Sequence, residues 1–255
     1  MKLNKTFFKM LIFMAILVIV MSISVSAAPP LPIPKIGLDI SAADNPEDVA
    51  VSIQILFLLT ILSLAPALLI MMTSFTRVII VLSFTRNALG TQQMPPNQVL
   101  IGLALFITFF IMSPVITDIN TNAFQPYTKG EITQEQAITK AMDPVREFMI
   151  KNVKEKDLAL FLNLSQTEQP IKSSDIPTIA LIPAFIISEL KTAFIIGFYL
   201  YIPFIMIDMV VASTLMSMGM MMLPPVMISL PFKLLLFVMV DGWNLVVKSL
   251  VMSFN

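Results

Sequence analysis

Long apolar runs, interrupted by prolines and a few isolated charges, set the pattern of this chain and predict its elements. Residues 10–25 are uncharged and apolar, follow a basic start of Lys2, Lys5 and Lys9, and lead into Val25, Ser26 and Ala27. That layout predicts a signal sequence, residues 1–27, cut after Ala27 because a cut after Ala28 would leave Pro29 first. An uncleaved anchor is the alternative, and both readings put residues 28–48 outside the cytoplasmic membrane. Four further runs follow, at residues 49–72, 99–117, 176–207 and 226–247. A helix of about 20 apolar residues crosses roughly 30 Å of hydrocarbon. The first two runs carry no charge, the third holds Glu189 and Lys191, and the fourth holds Lys233 and Asp241. The pattern predicts an all-α membrane protein with about four long apolar helices. Pro66, Pro114, Pro183 and Pro203 are expected to kink or break several of them.

The connectors orient these helices. Loop 73–98, inside a first helical hairpin at 49–117, carries Arg77 and Arg86 and no acid, which places it on the cytoplasmic side. Residues 118–175 then lie outside, as does the end of a second hairpin at 176–255. The segment after residue 207 has neither lysine nor arginine and does not report its own side. Residues 118–175 read as a small helical external domain. Thr133 and Gln136 have the spacing of a capping box, and Asp143-Pro144 predicts a second helix start. Val145, Phe148, Met149 and Val153 recur at helical spacing, and Leu158, Leu160, Phe161, Leu162 and Leu164 add apolar surface. That surface meets either neighbouring subunits or the chain's own helices.

Residues 216–225 read Met-Ser-Met-Gly-Met-Met-Met-Leu-Pro-Pro. Pro224 and Pro225 stop a helix and Gly219 favours a turn, so a non-helical loop rich in thioethers is expected between two apolar runs. Methionine is unbranched and soft, suited either to filling a core or to a surface that seals and deforms. Ser74-Phe75-Thr76-Arg77 recurs as Ser83-Phe84-Thr85-Arg86, and nine residues on a helix turn the two arginines to opposite sides. Each arginine is expected to be a topological anchor at the membrane boundary or a contact to a neighbouring chain.

Composition narrows the functional classes. The chain is 57% hydrophobic and 13% charged with no formal net charge, and its mean hydropathy is +0.88. No nucleic-acid partner is implied. Cysteine and histidine are absent, which removes disulfides, thiol nucleophiles, the usual zinc ligands and the commonest general base. No catalytic residue, metal site or cofactor is predicted. Charges inside apolar runs are costly and draw attention. Glu189 and Lys191 are two residues apart and do not share a helix face, so Glu189 is expected to pair with Lys233, between helices or between subunits. A proton or ion relay in a small-solute or ion transporter is the competing use of these charges.

Residues 73–115, which open TSFTRVIIVLSFTRNALG, and residues 186–243, including SELKTAFIIGF, Asp208, MGMMMLPP and LPFKLLLFVMVDGW, closely resemble the FliP family of flagellar type III export-gate proteins. REFM and DLALF in the external domain add a weaker match, and Leu223 stands where the family often has valine. The leader and the external domain favour the flagellar branch over the related injectisome subunit. The resemblance implies a homopentamer that, with FliQ-like and FliR-like proteins, forms the core of an export gate inside the basal-body ring of the inner membrane. FlhA-like and FlhB-like proteins complete that apparatus, and unfolded rod, hook and filament subunits pass through it. It further implies that Met220, Met221 and Met222 form a pore gasket and that Glu189 and Lys233 join adjacent subunits. Much of the apolar helix length in such assemblies is shielded by partners above the bilayer, not by lipid.

Overall fold

Glycine, proline and paired charges decide where the apolar runs end. The structure, a computed structural model, describes residues 46–91, 93–165, 175–220 and 222–254; among them every regular element is helical. The expected leader and most of residues 28–48 lie outside the described residues. In chain order the elements are α1 (Pro46–Met71), α2 (Phe75–Leu89), α3 (Asn97–Ile119), a π-helical turn (Asn120–Phe124), α4 (Gln125–Thr128), α5 (Gln134–Asn152), α6 (Glu155–Leu164), α7 (Thr178–Ser217), α8 (Pro225–Met239) and α9 (Gly242–Met252). The chain divides at Gln54 into two units, and the following concerns the second, from Ile55 to Asn255.

Helix α2 is the element around which this unit packs. Val78, Val81, Leu82, Ala88 and Leu89 are buried, joined by Leu100, Ala104 and Ile107 of α3, Ala193 and Phe204 of α7, Phe237 of α8, and Val246 and Leu250 of α9. Close approach of α2 to α7 depends on Gly197, where an added Cβ would sit 2.6 Å from Cγ of Phe84. A second cluster joins the external helices to the start of α7: Met149 meets Ile176, Leu181 and Phe185, with Val145, Phe148, Val153 and Leu158 around it. Full burial of one such side chain contributes about 1.5–3 kcal/mol. These residues therefore pack chiefly on the chain's own long helix. In contrast, Phe57, Leu58, Ile61, Leu62, Leu64 and Leu68 of α1 are all exposed.

Several boundaries differ from the sequence expectation. Helix α7 does not stop at residue 207 but runs for 40 residues, with Pro183 and Pro203 inside it. At 1.5 Å per residue it is about 60 Å long, twice the hydrocarbon thickness. The fourth run is broken: α8 and α9 meet at a 63° bend, where Asp241 takes a left-handed φ of 50°. A Cβ at the following Gly242 would overlap the Phe237 ring, so the bend brings backbone against an aromatic face. Asp143 and Pro144 do not start a helix; α5 continues through Pro144, whose missing N–H orphans a carbonyl one turn back at exposed Lys140, within reach of water. The capping box is present, with Thr133 Oγ1 accepting from the Gln136 N–H and Gln136 Oε1 from the Thr133 N–H. Among the described residues two helices are long and apolar enough to cross a membrane, Asn97–Thr128 and Thr178–Ser217, or three if the bent α8–α9 pair counts as one span.

Candidate functional site

Among the described residues, three ion pairs and one exposed turn are the candidates for a functional site. Arg77 sits on the buried side of α2 and Glu189 on the buried side of α7, with relative exposures of 3% and 0%. Arg77 Nε donates to Glu189 Oε2 at 2.9 Å, and Nη2 donates to Oε1, a two-point pairing. Nη1 donates to the Ser253 carbonyl at 2.8 Å and to its hydroxyl at 2.9 Å. The Phe254 ring lies over the guanidinium, 3.7 Å from Cζ to the centroid, and stacks on Phe148 at 5.9 Å. One arginine thus ties α2, α7 and the turn after α9.

The second network centres on Lys233 of α8. Its ammonium lies 2.6 Å from Asp208 Oδ2 and donates to the Ala88 carbonyl at 3.3 Å. The Ser229 hydroxyl is 2.5 Å from Asp208 Oδ1. Ala88 belongs to the last turn of α2, so a buried cation faces the negative end of that helix. Asp208 does not end α7 because its charge is matched within the fold.

The expected Glu189–Lys233 pair is therefore corrected within this chain. Each residue has a different partner, Arg77 for Glu189 and Asp208 for Lys233. The reason is geometric: Glu189 faces α2, whereas Asp208, beside Lys233, lies about five turns further along α7. Arg77, expected as a boundary anchor or a contact to a neighbouring chain, is interior. Arg86 points elsewhere, as the nine-residue offset predicts: its Nη1 donates to Asn97 Oδ1 at 2.6 Å and lies 3.4 Å from the Pro95 carbonyl.

Lys191, on the opposite side of α7 from Glu189, reaches Asp157 of α6. Asp157 also accepts from the buried Ser188 hydroxyl at 2.9 Å, and Ser188 in turn accepts from the Lys154 N–H at 2.9 Å. The Lys191 ammonium holds the Asp157 carboxyl below the usual carboxylate range, against the opposing effect of burial. A depressed folded-state pKa contributes stability above the unfolded value, about 3.9, and loses it as pH falls through the lower folded value. The opening equilibrium of residues 155–164, taken from hydrogen exchange after correction for its intrinsic pH dependence, should therefore be flat from neutral to mildly acidic pH and rise only below about pH 4. Asp157→Asn should raise it already at neutral pH, by about 1 kcal/mol because Lys191 is half exposed.

The methionine turn joins α7 to α8. Gly219 has φ of 74°, the Met220 N–H donates to the Leu215 carbonyl, and the Gly219 N–H donates to the Met216 carbonyl, each at 3.0 Å. This pair of bonds closes the helix in a Schellman arrangement, which needs the left-handed glycine. Pro224 and Pro225 then open α8. Met216, Met218 and Met220 are all exposed, and Met222 is 98% exposed. Met221 lies outside the described residues. The Asp208–Ser229–Lys233 network clamps the base of the hairpin whose tip is this turn.

Described residues that are helical throughout their regular elements, with membrane-length apolar helices and buried ion pairs between them, define a membrane-embedded protein. The match to the FliP family model covers residues 58–250, and the chain belongs to that family. It is 59% identical over 217 residues to the flagellar biosynthetic protein FliP of Bacillus subtilis, covering 85% of this chain and 98% of that one. The protein of the same name from Pectobacterium carotovorum is 57% identical, with 80% and 79% covered. That from Aquifex aeolicus is 52% identical, with 80% and 86% covered. Sequence reasoning missed Asp157, Ser188 and Ser229 as members of these networks; a buried serine among aliphatic residues gives no sequence signal of its own.

Proposed function

We propose that this chain is a pore-forming core subunit of the flagellar type III protein export gate in the bacterial inner membrane. Copies of it, five by resemblance, would bring their methionine turns together around a conduit for unfolded rod, hook and filament proteins. The carrying observation is the turn itself: a thioether surface left uncovered by its own chain, at the tip of a hairpin whose base is locked by buried charge. A ring of such side chains excludes water and ions when closed and adapts to many passing side chains when open. The relatives' names favour the flagellar system over the injectisome.

The 60 Å span of α7 supports the further reading that only part of the apolar length, whether four crossings or fewer, meets lipid. The remainder, with the exposed α1, is left for neighbouring copies and for FliQ-like, FliR-like, FlhA-like and FlhB-like partners within the basal-body ring. Since Glu189 and Lys233 are matched inside the chain, their part in subunit association is indirect: they fix the surfaces that neighbours meet. Replacing Met220, Met221 and Met222 with alanine tests the reading. The expected result is ion leak across the cytoplasmic membrane and impaired growth, with the oligomer intact on native gels. Tight, export-competent mutant assemblies would remove the gasket assignment.

A further inference from the structure

Residues 209–232 carry no charged side chain, and Asp208 and Lys233 bound them on either side. Within that neutral stretch every described residue from 216 to 224 is exposed. Met216, Met218, Met220 and Met222 thus present their thioethers at one place, whereas Met72, Met112 and Met149 are buried. Hydroxyls stand beside them, since Ser213, Thr214 and Ser217 are exposed as well. Met206 and Met239 are also exposed, but on the sides of α7 and α8, the apolar lengths assigned above to lipid and partners.

A surface thioether has one reaction open to it under mild conditions, and cysteine, its usual competitor for oxidants, is absent from this chain. The sulfur attacks one oxygen of a peroxide. The S–O bond forms as the O–O bond breaks, a proton passes to the departing oxygen, and water leaves. Sulfur gives up two electrons and the peroxide takes them. The product is a sulfoxide, polar where the thioether was apolar, and sulfoxide reductases restore the thioether. Solvent access decides which methionine reacts first. Four clustered side chains also make the chemical change local and large.

We propose that the methionine turn is a peroxide-sensitive modification site, in which sulfoxides at Met216, Met218, Met220 and Met222 unseal the turn. Modification follows from exposure alone; the unsealing rests on the export-gate reading. A closed apolar constriction excludes water because its wall offers no hydrogen bond. Each sulfoxide oxygen adds an acceptor, and every copy of the turn adds its own set. Leaving such a group dry is unfavourable, so water follows the sulfoxides into the constriction and ions follow the water. Reduction returns the apolar wall and the seal with it.

The test exposes the full-length chain, assembled in membrane vesicles, to hydrogen peroxide. Peptide mass spectrometry locates the sulfoxides, and a dye inside the vesicles reports ion flux. Sulfoxide should accumulate in residues 216–222 well before Met72, Met112 or Met149, and flux should rise about tenfold. Replacing Met216, Met218, Met220, Met221 and Met222 with leucine keeps size and apolar character but removes the sulfur. That variant should be tight both before and after peroxide. Oxidation of the turn no faster than of Met149 would overturn the modification site, and this measurement needs no variant. A fully oxidised turn with unchanged flux would overturn the unsealing, and would leave the gasket standing if the alanine variant of Met220, Met221 and Met222 leaked. Peroxide-induced flux in the leucine variant would likewise place the sensitive group elsewhere. A tight alanine variant would remove the gasket and the unsealing together, while the sulfoxide map would still decide the site.

Discussion

Glu189→Ala is expected to be the most damaging single substitution in the chain, lowering stability by about 3–5 kcal/mol. The mutation leaves the Arg77 guanidinium buried at 3% exposure with no carboxylate. It also loosens the turn at Ser253 and Phe254 that the same guanidinium anchors. A domain with 5–15 kcal/mol in total tolerates such a loss poorly. The measurement is the amount of chain recovered from membranes, with its melting temperature in detergent. Arg77→Ala should behave alike, since it strands Glu189 instead. The double replacement Arg77→Met, Glu189→Leu should recover much of the deficit, because two apolar side chains remove the desolvation cost of both charges. Equal loss in the single and double variants would show that the charge itself, not its pairing, is needed. Lys233→Ala should leave Arg77–Glu189 untouched, so its effect should add to that of Glu189→Ala; strong non-additivity would restore the Glu189–Lys233 pairing expected from sequence.

What the sequence carried and what it did not divide along physical lines. Helical character and the methionine loop were legible, because apolar runs, a glycine and two prolines act locally. The end of α7 was not. Asp208 in an apolar run reads as a span boundary until its partner is known, and that partner, Lys233, is 25 residues away across a turn. Arg77 read as a boundary anchor for the same reason, as Glu189 lies 112 residues off. The two-residue spacing of Glu189 and Lys191 did report correctly that they face apart. It could not report that Lys191 would find Asp157 of the external domain. The break between α8 and α9 also escaped, since no proline marks it and the bend rests on Asp241 and Gly242. Charge pairing across a fold is a tertiary property, and one chain without its topology does not contain it in readable form.

Asp208→Ala is the second large expectation, at about 2–3 kcal/mol, reduced from a fully buried pair because Asp208 is 26% exposed. The carboxylate does two jobs at the hairpin base: it neutralises Lys233 on α8 and positions Ser229 one turn earlier. Without it the Lys233 ammonium retains only the Ala88 carbonyl, and α8 loses its register on α7. Hydrogen exchange at residues 212–220 and 222–229 should rise more than in α2 or α5, because these segments flank the turn whose two helices the Asp208–Lys233 pair holds together. Lys233→Met should differ: the linear apolar side chain fills the same space, and the freed Asp208 is partly hydrated, so stability should fall by no more than about 1 kcal/mol. If both variants loosened the turn equally, the clamp would act through the ion pair as such. If only Asp208→Ala did, the burial of an unmatched cation would be the cause. On the proposed gasket reading, a hairpin held this way would keep its base fixed by the Asp208–Lys233 pair while its exposed methionine tip adapts to a passing chain.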